Sequence, residues 1–359
     1  MMAGMAASFT MVVSGTIVNV AVPSVIGAFG IGLDQAQLIT TGFNIAMVTS
    51  QLLNAWLVAA FGQRVGFLLA AAVFTLGSII GGLGQTFDMI VVGRILQGVA
   101  AGIVQPLVMV VAFQVFPADR RGYAMAIYSM GIFLAVAAGP VFGGIAIDLL
   151  HWRYIFWAPL PVIGFAALMG WIFVPQAPSK ERKSFDWIGY ILLLISVYCL
   201  VTAMTEGNRE GWTSSYILGL FLVGITAGAT LIWTQLQDWS TLIDLSLFRY
   251  KQFAMTALIA FVFGVGNFGT GYGVPVFGQL IQGMTPIVAA LMMLPSALLI
   301  VVTLPFTGKL ADSIPAHIGI LIGLFLFAVG TIPMGGADVN TPFLLITLYF
   351  IVSRMGMSF

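Results

Sequence analysis

Residues 90–115 read IVVGRILQGVAAGIVQPLVMVVAFQV, an apolar run whose only charged member is Arg94. Wound as an α-helix, a run of this length crosses the ~30 Å hydrocarbon layer of a bilayer. Comparable runs lie at 5–29, 38–60, 67–85, 123–148, 154–175, 187–205, 214–236, 254–279, 286–305, 316–334 and 343–359. Backbone exposed to lipid must satisfy its own hydrogen bonds, so each run is expected to be helical. A transmembrane barrel would instead alternate apolar and polar residues over segments of about ten, and the sequence contains none. The expected fold class is an all-α polytopic membrane protein of about twelve spans.

Composition excludes the main alternatives. Apolar residues make up 60% of the chain and charged residues 7%, against about 25% charged in an average soluble protein. One soluble core could not hide that much apolar surface. A net charge of +1 leaves no electrostatic footprint for nucleic acid. The single cysteine, Cys199, excludes a disulfide framework. The first apolar run is too long for a signal-peptide core and lacks a basic flank, so it is read as a retained span. The polar stretches Gln176–Asp186 and Gln237–Gln252 are too short for a folded extramembrane domain.

Basic residues set the orientation. Loops after even-numbered spans hold Arg64, Arg120, Arg121, Lys180, Arg182, Lys183, Arg249, Lys251 and Lys309, whereas loops after odd-numbered spans hold Arg153 and Arg209. The even loops and the N-terminus are therefore expected in the cytoplasm. Arg94 and Arg354 fall inside apolar runs.

Two pairs of segments recur along the chain. Residues 55–64, ending in Gly62-Gln63-Arg64, match the turn Gly308-Lys-Leu-Ala-Asp312-Ser-Ile-Pro315-Ala-His317, and Arg94-Ile-Leu-Gln97-Gly98 matches Arg354-Met-Gly356. These repeats predict a six-helix half over 1–175, a two-helix insertion over 187–236, and an incomplete second half over 254–359 with about four of its six helices. Repeated halves that rock about a midplane site are typical of secondary transporters. The fifth span carries Gly131, Ala135, Gly139 and Gly143 at four-residue spacing, with Pro140 and Gly144 alongside. Small residues so spaced let a neighbouring backbone approach, and Pro140 removes an amide donor. The stripe reads either as ordinary close packing or as a sealed, kinked interface between moving helices.

At these motifs the sequence resembles a known family. Gly139-Pro140-Val-Phe-Gly143-Gly144 is similar to the antiporter motif of the drug exporters of the major facilitator superfamily. Thr16-Ile-Val-Asn19-Val-Ala-Val-Pro23 resembles the first-helix signature of its fourteen-helix drug–proton antiporters (the EmrB/QacA type). Arg94-Ile-Leu-Gln97-Gly98, Phe116-Pro-Ala-Asp-Arg120-Arg-Gly122, His151-Trp152-Arg153-Tyr-Ile-Phe156 and Ile243-Asp-Leu-Ser-Leu-Phe248 resemble further motifs of that family. The resemblance covers essentially the whole chain. It implies a helical bundle with two pseudo-repeated halves and proton-coupled efflux of hydrophobic or amphipathic small molecules. It also implies location in the cell (inner) membrane and, in a double-membraned bacterium, a periplasmic adaptor protein as partner.

The departures from the pattern are specific. Ser14 stands where the family has an acid, and Ala59 stands where its first cytoplasmic turn has aspartate. In the second copy Pro315 and His317 replace glycine and a basic residue, and Ala135 replaces the first glycine of the antiporter motif. The chain stops at Phe359 inside the twelfth run, which reads as a fragment or a truncated gene product.

No acid lies in the middle of a run, although proton coupling usually uses an embedded carboxylate. The nearest candidates are Asp148 and Glu206, both near span ends. Arg94 reads either as an anchor for an anionic substrate group or as a tie to backbone carbonyls. Ser14, Asn19, Gln97 and Gln105 are the uncharged polar residues expected near the cavity, as substrate contacts or interhelical hydrogen bonds. Together with Arg94 and Glu206 they form the expected substrate and proton pathway. Arg64, Gly308, Asp312 and Arg354 join the glycines of the fifth span as gating or structural residues. Asp312 in particular suits a latch, capping the helix that follows it and pairing with bases.

No function as an enzyme is expected. The histidines His151 and His317 occupy loops, and neither an HExxH pair nor a GxxxxGK[ST] phosphate loop occurs. No cofactor or metal is expected, and a selectivity segment of the channel kind is missing. Two alternatives stay open: a transport-inactive or partner-dependent truncated paralogue, and a proton-independent exporter of neutral or anionic amphipaths.

Overall fold

The computed structural model describes residues 2–117, 120–174, 176, 185–237, 242–283 and 294–358. Among these residues all regular structure is helical. The helices are α1 (Met2–Phe29), α2 (Leu33–Phe61), α3 (Gln63–Leu83), α4 (Phe87–Val115), α5 (Arg121–Leu149), α6 (Tyr154–Trp157), α7 (Leu160–Phe173), α8 (Trp187–Glu210), α9 (Ser215–Leu236), α10 (Lys251–Leu280), α11 (Leu294–Ala311), α12 (Ala316–Thr331) and α13 (Phe343–Gly356). Eight of the described helical segments are long and apolar enough to cross a membrane. Shorter apolar helices at Met2–Val18, Arg121–Val136, Leu298–Ala311 and Phe343–Gly356 fall in the other four expected runs. The chain is thus a multi-pass membrane protein.

Two local differences from the sequence reading have simple causes. The sixth run divides into α6 and α7 at Ala158 and Pro159, both of which keep right-handed helical dihedrals. Pro159 and Pro161 have no amide hydrogen, so the hydrogen-bond ladder lapses while the helical path continues. The tenth run, expected at 286–305, is described only from Leu294, and its helix extends on to Ala311.

The helices form two compact units. The first comprises Met1–Met109 with Ala138–Ser246, and the second Val110–Ala137 with Leu247–Phe359. In the first unit, Ile17, Val18, Val25, Ile39, Ile90, Trp152 and Phe156 pack into one buried cluster. The loop motif at 151–153 helps to close it: Arg153 Nη2 donates to Gly84 O at 2.8 Å, capping the end of α3, and its guanidinium lies 4.6 Å from the Trp152 ring centre. A cation at a helix C-terminus meets both unsatisfied carbonyls and the negative end of the dipole. Arg64 does the same for α7, donating from Nε to Val174 O at 2.6 Å. Between α2 and α3 the chain turns at Gly62 with φ +83°, a conformation that disfavours any side chain with a Cβ.

The insertion pair α8–α9 belongs to this first unit. Ser196 Oγ donates to Gly224 O at 2.9 Å, and a Cβ on Gly224 would sit 2.9 Å from Leu200 Cγ, so the two helices touch closely. Asp186 caps α8 by accepting from Gly189 N at 2.8 Å, and its other oxygen accepts from Gln235 Nε2 at 2.7 Å. The Gln235 carbonyl then accepts from the amides of Leu242 and Ile243, tying the following turn to the pair.

In the second unit, Ala126, Ile300 and Leu304 are buried together, as are Val274, Ile346 and Phe350. Large apolar side chains stand exposed on both units; Trp171 and Phe173 in the first and Phe306 and Phe325 in the second are each about two-thirds exposed or more. Such faces suit a lipid solvent.

Candidate functional site

The fourth helix shows why its motif has these residues at this spacing. Arg94, Gln97 and Gly98 share the side of α4 that turns inward, and all three are buried. A Cβ on Gly98 would overlap Phe43 O of α2, and one on Gly102 would overlap Met47 O. On another side, a Cβ on Gly93 would come within 2.7 Å of Gly77 O in α3, and one on Gly77 within 2.6 Å of Gly93 O. Glycine therefore lets α4 lie against the main chains of α2 and α3, which brings their carbonyls and side chains onto the arginine.

Arg94 is completely buried. Its Nη1 donates to Gln97 Oε1 at 2.7 Å, to Ser14 O at 3.0 Å and to Ser14 Oγ at 3.3 Å. Its Nε reaches Ile39 O at 3.5 Å, and the guanidinium carbon lies 4.2 Å from the centre of the Phe43 ring. Gln97 is held at both ends, since its Nε2 donates to Ser78 Oγ at 2.8 Å. Ser14 Oγ donates to Gln97 Oε1 across 3.4 Å. The result is a closed polar cluster of Ser14, Ser78, Arg94 and Gln97 on three helices. Among the described residues every acceptor on Arg94 is uncharged, and Nη2 has no partner.

The second unit contains a counterpart. Arg354 of α13 is mostly buried; its Nη1 donates to Asn267 Oδ1 and lies 3.0 Å from Met357 Sδ, while Nη2 reaches Asn267 O at 3.3 Å and Thr270 Oγ1 at 3.4 Å. Its guanidinium carbon stands 4.5 Å from the Phe350 ring centre. The backbone approach recurs as well, for a Cβ on Gly330 of α12 would overlap Ser353 N and one on Gly356 would overlap Gly323 O. One interval separates Gly62 from Pro315, Ala59 from Asp312 and Gly77 from Gly330. Arg94 and Arg354 lie slightly further apart, the excess falling in the connection before α13. Each arginine-bearing helix is thus pressed against a glycine of the helix before it, with its charge over a phenylalanine ring.

Asp312 departs from its expected role. Its oxygens accept from Gly122 N at 2.7 Å and Tyr123 N at 3.0 Å, so it caps α5 rather than the helix that follows it. Gly308 makes this possible: a Cβ there would overlap Ala126 Cβ and come within 2.9 Å of Gly122 O. Lys309 does not pair with the carboxylate in this arrangement, and its Nζ sits 5.6 Å from the centre of the Tyr123 ring. The turn motif therefore works as a grip on the N-terminus of α5, where a carboxylate satisfies orphan amides and the dipole together.

Other sequence candidates are distributed more widely. Gln105 is half-buried, and its Nε2 points at Met47 Sδ from 3.9 Å, outside the arginine cluster. Glu206, near the end of α8, lines a separate cavity of about 360 Å³ with Gln37, Thr41, Thr202 and Thr205. Gly131 is half-buried in α5. Gly139 is buried, and a Cβ on it would overlap Thr16 Oγ1, so here the stripe serves contact with α1. Gly143 is also buried. The helix continues through Pro140 and Gly144, but the surroundings of these two, like the side chains of Asn19 and Asp148, lie outside the described residues.

Sequence reasoning missed Ser78, Phe43, Asn267 and Thr270. Ser78 and Asn267 left a usable signal as polar residues within apolar runs. Phe43 and Thr270 left none, because nothing in a sequence marks which aromatic faces a cation.

Comparison with known proteins agrees with this architecture. Residues 4–359 match the family model described as Major Facilitator Superfamily. The chain is 28% identical over 354 residues to the uncharacterized MFS-type transporter YhcA of Bacillus subtilis, covering 99% of this chain and 66% of that protein. It is 29% identical over 325 residues to the multidrug export protein EmrB of Escherichia coli, covering 90% of this chain and 64% of that one. The chain therefore spans somewhat less than two-thirds of the length of these relatives. Among solved structures, the proton:xylose symporter XylE superposes with a TM-score of 0.61 at 17% identity, over 99% of this chain and 78% of the other. At that identity the likeness speaks for the fold.

Proposed function

The chain belongs to the Major Facilitator Superfamily, and on that premise we propose that it is a secondary active transporter. It exports hydrophobic or amphipathic small molecules from the cell by alternating access, with a proton gradient as the driving force. It lies in the inner membrane with its N-terminus in the cytoplasm.

The observation that carries the reading is the repetition of one device: a membrane-embedded arginine over a phenylalanine ring, on a helix packed against glycine, is present in both units. Repeated halves built around intramembrane polar groups are the usual construction of secondary transporters. The name of EmrB as a multidrug export protein supports a lipophilic small-molecule substrate. Ser14, Asn19, Arg94, Gln97, Gln105 and Glu206 form the proposed substrate and proton pathway. In the proposed gate, Gly131, Gly139, Pro140, Gly143 and Gly144 make α5 a sliding face, and Asp312 with Gly308 latches its cytoplasmic end. Arg64 and Arg354 brace the helices around them. In a double-membraned bacterium a periplasmic adaptor completes the path.

A second reading has one observation in its favour. No carboxylate reaches Arg94 among the described residues, which favours a proton-independent exporter of neutral or anionic amphipaths.

Everted membrane vesicles separate these readings. A fluorescent lipophilic dye is added to the outer medium, and the vesicles are energised with an imposed pH gradient, acidic inside. Uptake that collapses with the gradient supports proton-driven export. Uptake that persists without the gradient supports the second reading, and no uptake of cationic, neutral or anionic dyes leaves a transport-inactive chain.

A further inference from the structure

We propose that Arg94 is one half of an anion site, and that a single small negative group entering beside Ser14 and Nη2 completes it. The carboxylate of an amphipathic substrate or a chloride ion has the required chemistry. The inference rests on the transporter reading above and names the charge class that its central site takes.

Three observations lead there. The guanidinium is fully buried in a membrane-embedded helix, yet all of its acceptors are neutral: two carbonyls, a hydroxyl and an amide oxygen. Hydrogen bonds to neutral groups and the Phe43 face orient the cation without cancelling its charge, and a buried charge without a counter-charge is costly. Second, the neutral acceptors crowd onto Nη1, and among the described residues Nη2 has no partner. A guanidinium takes a carboxylate best through two parallel N–H donors, and the donors of Nη2 are unused. Third, Ser14 Oγ lies 3.3 Å from Nη1, and its own hydrogen bond to Gln97 Oε1 is long at 3.4 Å. Its hydroxyl can therefore turn and donate to an arriving anion with little loss.

Arg354 argues by contrast. Both of its terminal nitrogens are engaged, largely by Asn267 and Thr270 of α10, so it offers no comparable unused donor.

The test uses the purified chain in nanodiscs in chloride-free gluconate buffer, probed with 2-naphthoate and its uncharged amide, 2-naphthamide. Naphthoate is expected to bind at least about tenfold more tightly than naphthamide, and Arg94→Gln is expected to remove the difference. Ser14→Asp builds the counter-charge into the protein. It should weaken naphthoate at least about tenfold more than Ser14→Asn, which adds similar bulk without charge, and should raise the melting temperature above that of Ser14→Asn. Chloride that raises the melting temperature and competes with naphthoate identifies an inorganic ion as an occupant; naphthoate binding untouched by chloride assigns the site to the organic carboxylate. Equal affinity for naphthoate and naphthamide, or equal effects of Ser14→Asp and Ser14→Asn, would overturn the proposal. If the two probes are discriminated but vesicles transport nothing, the anion site stands and the exporter reading fails. If export persists without discrimination, only the anion site fails.

Discussion

Arg94 and Arg354 occupy corresponding places in the two units and are satisfied in different ways. Both lie in membrane-embedded helices, both face a phenylalanine ring, and both helices rest on a glycine of the preceding helix. Arg354 is consumed by structure: an asparagine, a threonine and a main-chain carbonyl of α10 receive its donors. Arg94 is better buried but less completely bonded, with one terminal nitrogen idle among the described residues. A charge that ties helices together uses its whole donor set, whereas a charge that meets a ligand must keep part of it in reserve. The two units therefore share a construction, and the proposed anion site assigns them different tasks.

Breaking what they share should have the largest effect. Gly93→Val and Gly330→Val each push a branched side chain into the main chain of an adjacent helix, which costs on the order of 3 kcal/mol or more. Loss of monodisperse protein in size-exclusion chromatography is the expected outcome for both. A well-folded Gly330→Val chain would show that the second unit does not need the close approach.

The next comparison separates the two charges. Arg354→Met strands Asn267 and Thr270 and is expected to lower stability by about 1–3 kcal/mol, read as a drop in melting temperature. Arg94→Met removes a buried charge that lacks a counter-charge, so its melting temperature should fall less or rise, while transport is lost. Matching losses of stability in the two variants would erase the proposed division of labour.

A smaller effect is expected at the grip on α5. Asp312→Asn keeps the shape but removes the charge facing two helix N-terminal amides, worth about 1 kcal/mol. As a latch on one state, it should change the transport rate several-fold with little change in dye affinity. Unchanged rates would reduce it to a simple cap. Smaller still, Asp186→Ala removes the cap on α8 and its bond to Gln235, at about 1 kcal/mol. Because that pair belongs to the insertion, transport by the remaining helices should be nearly unaffected in vesicle assays.

Much of this was legible in the residues. Arg94, Gln97 and Gly98 announced themselves because a charge, an amide and a glycine are each exceptional in an apolar run, and together they fall on one helix face. The repeat was legible because Gly62, Asp312 and Pro315 occupy tight turns, where few residue types serve. Asp312 shows the limit: its type and place are readable, but the sequence points to the following helix as its partner, whereas the structure gives it α5, far away along the chain. Ser78 escaped for the same reason, since a lone serine becomes part of a cluster only when α3 and α4 are set side by side.

By itself the sequence determined that this chain is a bundle of membrane-spanning helices in repeated halves, because lipid admits only helices or closed barrels, the alternation of a barrel is missing, and the apolar runs fix the lengths. Tertiary structure decided which polar groups meet and which are left over. Hydropathy depends on composition along the chain, but a hydrogen-bond partner depends on helix rotation and approach, and these are set by glycine contacts between one helix and another. Only in three dimensions does Arg94 prove to be a buried charge with a donor to spare and Arg354 a charge already engaged.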